Sequence, residues 1–381
     1  EYDWKKFDSL YLAQIKANPQ ARIMVGILAI SSPWFEKKYP EQLAQYVENG
    51  QLKSMKYAGP LGSDLWFRFS MQMVHDVVTH VESSSYANHV FAYNFGGGQS
   101  MEWYWPGSMN GTTGYSEGTR DSFRLWLRQK YNTDARLQKA WNDNKVTLET
   151  ALVPSVETRA KVDIPPFLDV TKSRPEIDFR QYMTDTTVRY IRESARIIKQ
   201  ASNHKKLTVT YYGYGLQGAG MPKLFNSGLQ GFSRVIADPN IDCLGQLNDY
   251  SYRRGGEAGQ GISPFYASAR LHHKMLWMEN DYRTDLALPR YVNRTRDAAE
   301  TISVVQRNFG ETLVNGAGFW LRAFNNNWYH ENPVMEAIAN LKRVGDKSLS
   351  HDKTSVAQVA FIYDDEVPHY MGGGYNAFTR A

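Results

Sequence analysis

The sequence predicts an α/β protein with a parallel sheet wrapped by helices, in the (β/α)8 manner, and three observations carry that prediction. Segments with helical spacing alternate with short β-rich runs along most of the 381 residues. Those runs are almost continuously apolar, as strands buried on both faces are. Each ends in polar or aromatic residues, the arrangement by which such a barrel builds its active face. A doubly wound open sheet is the alternative. It is disfavoured because no G-x-G-x-x-G phosphate loop follows a first strand and FGGGQS does not lead directly into a helix.

The first helix, in FDSLYLAQIKANP, is ended by Asn18-Pro19, because the residue before a proline leaves the α region. ARIMVGILAI then reads as a strand near 22–30, stopped by SSPW. SDLWFRFSMQMVHDVVTHVES has the spacing of a long amphipathic helix and leads into HVFAYNF, a strand at 89–95 that three glycines stop abruptly. Ser116 is expected to cap the helix in SEGTRDSFRLWLRQKYN with its hydroxyl. A polar, Pro-bearing stretch over 146–174 gives way to the helix DFRQYMTDTTVRYIRESARIIKQAS and the strand KLTVTYYGY, near 206–214. Strands near 241–250, 274–280 and 316–324 bring the count to six, with TRDAAETISVVQRNFGETLVNG supplying a helix between the last two. At TSVAQVAFIYDDEVPHYMGGGYNAFTRA a new strand begins, so the expected domains are a barrel over 1–352 and the start of a C-terminal α/β domain over 353–381.

Composition narrows the function classes. A 42% hydrophobic and 22% charged chain has the makeup of a folded globular protein rather than a disordered one. No run approaches the roughly 18 apolar residues of a membrane span. The start EYDWKKFDSL has neither an initiator Met nor a signal-peptide pattern and reads as an internal start, leaving periplasmic, secreted and cytoplasmic locations all open. Cys243 is the sole cysteine, which excludes an internal disulfide and any Cys-based zinc site. The net charge of +5 is spread along the chain and gives nucleic-acid binding little support. Arg253 and Arg254 are the nearest approach to a basic cluster among aromatics, suited to a sulfate or uronate or else to a solvated surface. Aromatic residues make up 13% of the chain, and such rings pack against sugars as well as in cores.

Two carboxylates stand at strand ends in aromatic company. Glu102 lies in YNFGGGQSMEWYWPG beyond the strand at 89–95, and Glu279 lies in LWMENDYRT at the end of the strand at 274–280. Glycoside hydrolysis uses such a pair, one carboxyl to protonate the leaving oxygen and the other to attack the anomeric carbon or activate water. The plainer alternatives are a solvated loop acid for Glu102 and a structural partner of Arg283 for Glu279. Asp249, Asp281 and Glu257 compete for the same roles, and Asp281 shares strand parity with Glu279. The glycines are expected to open the backbone for a bound sugar. Other chemistries have weaker cases: His272 and His273 are adjacent and point to opposite sides of a strand, His89 and His204 read as structural, and neither H-E-x-x-H nor G-x-S-x-G occurs.

The succession SPW…YP, GGGQSMEWYW, YSEGTRDSFRLWLRQKYNTDARLQKAWND…VTLETALVPS, LWMENDYRT and GAGFWLRAF resembles the glycoside hydrolase family 42 group of β-galactosidase-like enzymes in clan A, over most of residues 1–350. The resemblance implies a (β/α)8 barrel in which 22–30 is the third strand and 316–324 the eighth, strands one and two belonging upstream of residue 1. It implies retaining, exo-acting hydrolysis of β-galactosides or galactose-containing oligo- and polysaccharides, with Glu102 as acid/base and Glu279 as nucleophile. No metal or cofactor is expected. The partner is a carbohydrate, with neither nucleic acid nor membrane, and relatives are often trimers.

One departure bears on specificity: Met101 stands where clan A enzymes usually place the Asn that bonds the sugar 2-hydroxyl. Either Asn94 or Gln99 replaces it, or recognition of the 2-hydroxyl differs. Trp103, Tyr104 and Trp320 are candidate sugar platforms, Tyr250 or Tyr252 a candidate hydrogen-bond donor to Glu279, Asp281 a second inward-facing acid, and Arg283 the cation that holds Glu279 ionised. The rival readings are a carbohydrate-binding barrel without catalysis and the same chemistry on a β-mannoside, an α-L-arabinopyranoside or a sulfated galactan.

Overall fold

Residues 2–160, 167–214, 227–247, 254–257, 265–291, 293–324 and 327–372 are described by the computed structural model, and they fall into two units. One unit comprises Glu1–Tyr211, Gly218–Asp242 and Asp365–Ala381; the other comprises Tyr212–Gln217 and Cys243–Asp364.

In the first unit, α1 (Trp4–Ala17) precedes β1 (Ile23–Ala29), whose alternate residues Ile23, Val25, Ile27 and Ala29 are buried. The short α2 (Pro33–Lys38) and the hairpin β2 (Gln45–Glu48) and β3 (Gln51–Ser54) follow. α3 (Asp64–Glu82) is capped by Ser63, whose hydroxyl accepts from the Trp66 N–H, and it buries Trp66, Met71, Val74, Val77, Val78 and Val81. Each such side chain contributes about 1.5–3 kcal/mol by leaving water, so packing of this stripe rather than helix propensity holds α3 in place. β4 (Val90–Gly97) lies parallel to β1, with Val25 opposite Tyr93 and Ala29 opposite Gly97. β5 (Thr112–Thr113) adds a third antiparallel strand to the hairpin.

α4 (Glu117–Tyr131) begins as expected, with the Ser116 hydroxyl accepting from the Thr119 N–H. It is followed by α5 (Asp134–Trp141), α6 (Val156–Ala160), the 28-residue α7 (Arg174–Ala201), β6 (Leu207–Tyr211) and α8 (Phe232–Ile236). β6 pairs parallel to β4, Asn94 opposite Val209. It is shorter than the strand read near 206–214, since Tyr212 to Tyr214 leave the ladder around Gly213, whose φ is +101°.

Two buried polar networks join these helices. Asp178 on α7 is fully buried and accepts from Lys130 Nζ at 2.9 Å, Tyr131 Oη at 2.6 Å and Trp141 Nε1 at 2.8 Å, with Arg174 Nε 2.9 Å away. A single carboxylate thus pins α4, α5 and α7 together. Burial pulls the Lys130 ammonium below its ordinary range although Asp178 opposes the shift, and burial likewise pushes the Tyr131 phenol upward. In the second network Glu176, also fully buried, accepts from Arg180 Nε at 2.6 Å and lies 3.8 Å from Arg159 Nε. Arg180 Nη1 donates onward to the Met371 carbonyl at 2.5 Å, and the Thr184 hydroxyl meets His369 Nε2 at 2.8 Å, so α7 holds residues 368–371 to this unit.

The second unit repeats the parallel pattern. β7 (Cys243–Leu247), α9 (Tyr266–Leu271), β8 (Met275–Asn280), α10 (Ala298–Val314), β9 (Gly318–Leu321) and α11 (Asn332–Ser348) follow one another. Leu247 is opposite Glu279, and Glu279 is opposite Trp320, along parallel ladders. Tyr282, Val304 and Val305 form a core against Phe319, Leu321, Tyr329, Ile338 and Leu341. Parallel strands alternating with helices in both units make the α/β barrel pattern that the sequence predicts. Residues 353–364, by contrast, carry no strand: Val356 is 95% exposed and Ile362 89%. The β-rich composition there meets no ladder among the described residues, and a strand exists only by pairing.

Candidate active site

Strand alternation sorts the residues at the end of β4. The Tyr93 hydroxyl reaches Glu82 on α3, so Tyr93, Phe95 and Gly97 face the helices while Asn94 and Gly96 face the opposite, inner side. Asn94 is buried, and its side-chain oxygen has no hydrogen-bond partner among the described residues. That leaves an acceptor on the inner face for a ligand hydroxyl.

Beyond β4 the loop turns back on its own strand, and each glycine leaves room for it. A Cβ at Gly96 would stand 2.5 Å from the Met101 carbonyl oxygen, one at Gly97 would stand 2.8 Å from the Trp103 ring, and one at Gly98 would lie 2.3 Å from the Tyr104 oxygen. Gly98 also has φ +79°, a conformation side chains rarely adopt. The expectation that the glycines open the backbone for a sugar is therefore corrected: residues 101–104 occupy the space they leave. Gln99 belongs to the same scaffold, its N–H donating to Tyr104 O at 2.8 Å and its Oε1 accepting from the Gly107 N–H at 3.1 Å, so its carboxamide oxygen serves the loop rather than a substrate. Trp103 is also not a sugar platform, being 1% exposed with its indole N–H donating to Thr210 Oγ1 at 2.8 Å. Glu102 is half-buried between these anchored residues, and Tyr104 keeps a half-buried ring.

On β8 the same logic applies. Met278 and Asn280 pair with Phe319 and Leu321, which face the helical core, so Glu279, Trp277 and Trp320 share the opposite face. Trp320 is half-buried and meets Trp277 edge to face at 5.9 Å. Glu279 is 1% exposed, and its Oε1 accepts from Arg322 Nη1 at 2.8 Å. Arg322, just beyond β9, was the residue that sequence reasoning missed; its only signal was a position in GAGFWLRAF beside Trp320. Arg283 does not fill that role, since its guanidinium lies 3.3 Å from Asp281 Oδ2. Asp281 is fully buried with that cation beside it. Tyr250, Tyr252, Arg253 and Asp249 lie outside the described residues.

Arg254 is not open to a sulfate or uronate. It clasps Glu300 with two nitrogens, at 2.8 and 3.1 Å, and Arg296 reaches the same carboxylate at 2.9 Å. The Arg254 bonds, followed by those of Arg296, hold the Glu300 carboxyl down at about 2 against the opposing effect of burial. A carboxyl depressed on folding stabilises the fold above its unfolded value, near 4.5, and loses that contribution as pH falls towards 2. Glu300→Gln should therefore flatten the fall of the urea midpoint between pH 4.5 and 2, and an unchanged slope would show the clasp to be idle. No group of three or more His, Cys, Asp or Glu side chains suited to a metal ion occurs among the described residues, and none of their helices is long and apolar enough to cross a membrane.

Parallel strands alternating with helices in both units give the α/β barrel pattern, a fold whose chemistry is set by the loops at its strand ends. The family model for glycoside hydrolase family 42, described as β-galactosidase, matches residues 1–227. The chain belongs to that family. Among solved structures it is similar to a β-galactosidase from Bacillus circulans sp. alkalophilus (15% identity, TM-score 0.59, covering 92% of this chain and 50% of that one). It is also similar to the catalytic domain of a β-amylase from Paenibacillus polymyxa (12%, TM-score 0.61, 91% and 87%). A third is the β-galactosidase of the psychrophilic Marinomonas ef1 (16%, TM-score 0.56, 87% and 51%). The chain spans about half the length of these two β-galactosidases. No curated protein matches it.

Proposed function

We propose that the chain is the catalytic part of a retaining, exo-acting β-glycosidase that acts on β-galactosides or galactose-containing oligo- and polysaccharides. The observation that carries this reading is Glu279, buried on the inner face at the end of β8 and bonded to Arg322. A guanidinium at hydrogen-bond distance favours the ionised carboxylate, the form a nucleophile needs. Glu279 attacks the anomeric carbon as the C–O bond to the leaving group breaks, and the Glu102 carboxyl gives its proton to the departing oxygen. In the second half Glu102, now ionised, takes a proton from water, whose oxygen displaces Glu279 and releases the sugar. Asn94 offers its free acceptor to a sugar hydroxyl in place of the Asn that Met101 has displaced, and Tyr104 and Trp320 offer rings.

Barrels of this shape serve both a β-galactosidase and a β-amylase, so the residues lining the site rather than the fold select the sugar. The test is a panel of nitrophenyl β-galactoside, β-mannoside and α-L-arabinopyranoside with agar-type galactans, the first-formed anomer being followed by proton NMR. Release of β-galactose before mutarotation is the expected result, together with carboxyl groups about 5–5.5 Å apart in a crystal structure with a bound inhibitor. First appearance of the α-anomer would overturn retention. Calorimetric binding of sugar without release from any member would replace the enzyme with the carbohydrate-binding barrel.

A further inference from the structure

Trp103, the residue after Glu102, stands at φ +65°, in the left-handed region that bulky side chains seldom enter. Such a conformation persists only where the surroundings over-determine it, and it concentrates at functional positions. Three constraints act on Trp103. Its ring is packed between Phe95 and Tyr190, each at 6.2 Å, on the helix side of β4. It fills the space that a Gly97 Cβ would take. Its indole N–H donates to Thr210 Oγ1 at 2.8 Å, while the Thr210 hydroxyl donates to the Phe95 carbonyl at 3.0 Å. The direction of this relay is fixed, because an indole nitrogen only donates and the single hydroxyl proton is committed to Phe95, leaving an oxygen lone pair for the indole.

We propose that Trp103 and Thr210 are positioning residues that aim the Glu102 carboxyl for proton transfer. The ring is a peg driven between β4, β6 and α7, and the left-handed turn at its own backbone sets the direction in which Glu102 leaves the loop. This rests on the reading of Glu102 as acid/base, and it assigns the tryptophan of the M-E-W triplet to the acid's geometry rather than to the sugar. Neither residue touches the reacting atoms; both act through the peptide unit between 102 and 103.

The consequence is a dependence on leaving group. A dinitrophenolate departs with little help, whereas an alkoxide or a second sugar needs the proton. Thr210→Val keeps the shape of the side chain, removes the acceptor and leaves the buried indole N–H unpaired. It is expected to lower kcat/KM on methyl or disaccharide substrates by about tenfold or more, a fraction of the roughly 10²–10⁴ that a general acid supplies. Dinitrophenyl glycosides should lose less than about threefold by the same argument, and Thr210→Ser should restore the poor leaving groups. A merely structural role would depress both classes alike, and that result overturns the proposal. Glu102→Gln is run beside it. If it shows no leaving-group dependence, the acid/base assignment fails. If it shows the dependence and Thr210→Val does not, only the positioning role fails. Should the wild-type chain turn over no glycoside, hydrogen exchange of amides 98–105 is the readout: faster exchange in Thr210→Val supports the relay, and unchanged exchange overturns it.

Discussion

Glu279→Gln is expected to lower kcat/KM by about 10³-fold or more, because removing the nucleophile of a covalent mechanism removes its first step. The substitution keeps the shape and one acceptor oxygen for Arg322, so packing on the inner face of β8 is preserved. What is lost is the negative charge. Arg322 tolerates the change because its side chain is 43% exposed and water can solvate it. The thermal midpoint should therefore stay close to wild type while turnover disappears. A second substitution separates nucleophile from bystander: Glu279→Gly should regain turnover of dinitrophenyl glycosides in azide, giving a glycosyl azide of inverted configuration. Near-normal activity of Glu279→Gln, or no azide product with a folded Glu279→Gly, would remove Glu279 from the mechanism.

Glu176→Ala should produce the largest loss of stability, about 3–5 kcal/mol, which is the usual effect of taking one partner from a buried ion pair. Glu176 is fully buried between Arg180 and Arg159, both almost fully buried themselves. Alanine would leave two guanidinium groups in the interior with only neutral acceptors, among them Thr113 O and Met183 Sδ for Arg159 and Met371 O for Arg180. Residues 368–371 are tied down through Arg180 and Thr184, so they should loosen with the network. The measurement is the urea midpoint together with hydrogen exchange at 367–371. A loss under about 1 kcal/mol, the value of an exposed pair, would mean that water already reaches the cluster.

Local signals were legible in the sequence. Ser116 caps its helix and the six apolar runs are parallel strands, since these features depend on neighbours a few residues away. Side-chain partnerships were not. Arg283 suggested itself as the Glu279 partner by lying four residues on, but four extended residues span about 13 Å, and the cation actually comes from β9's end, 43 positions away. The GGG run was conspicuous and its purpose was misread, because a glycine announces a close approach without saying what approaches. The family pattern around W-L-R-x-K-Y and A-W-N is another case. Its Lys130, Tyr131 and Trp141 converge on Asp178, so those residues read as a signature of helix packing rather than of chemistry.

The exposed run 355–362, SVAQVAFI, has a consequence for the protein as a material. Eight residues without a charge or a proline, rich in β-formers and open to water, have the composition of segments prone to pair with their own copies. Concentrated or salted solutions of this chain should cloud through contact of one molecule with another while every fold-stabilising bond is intact. The shelf life of such a sample is then set by collision frequency, and dilution should extend it.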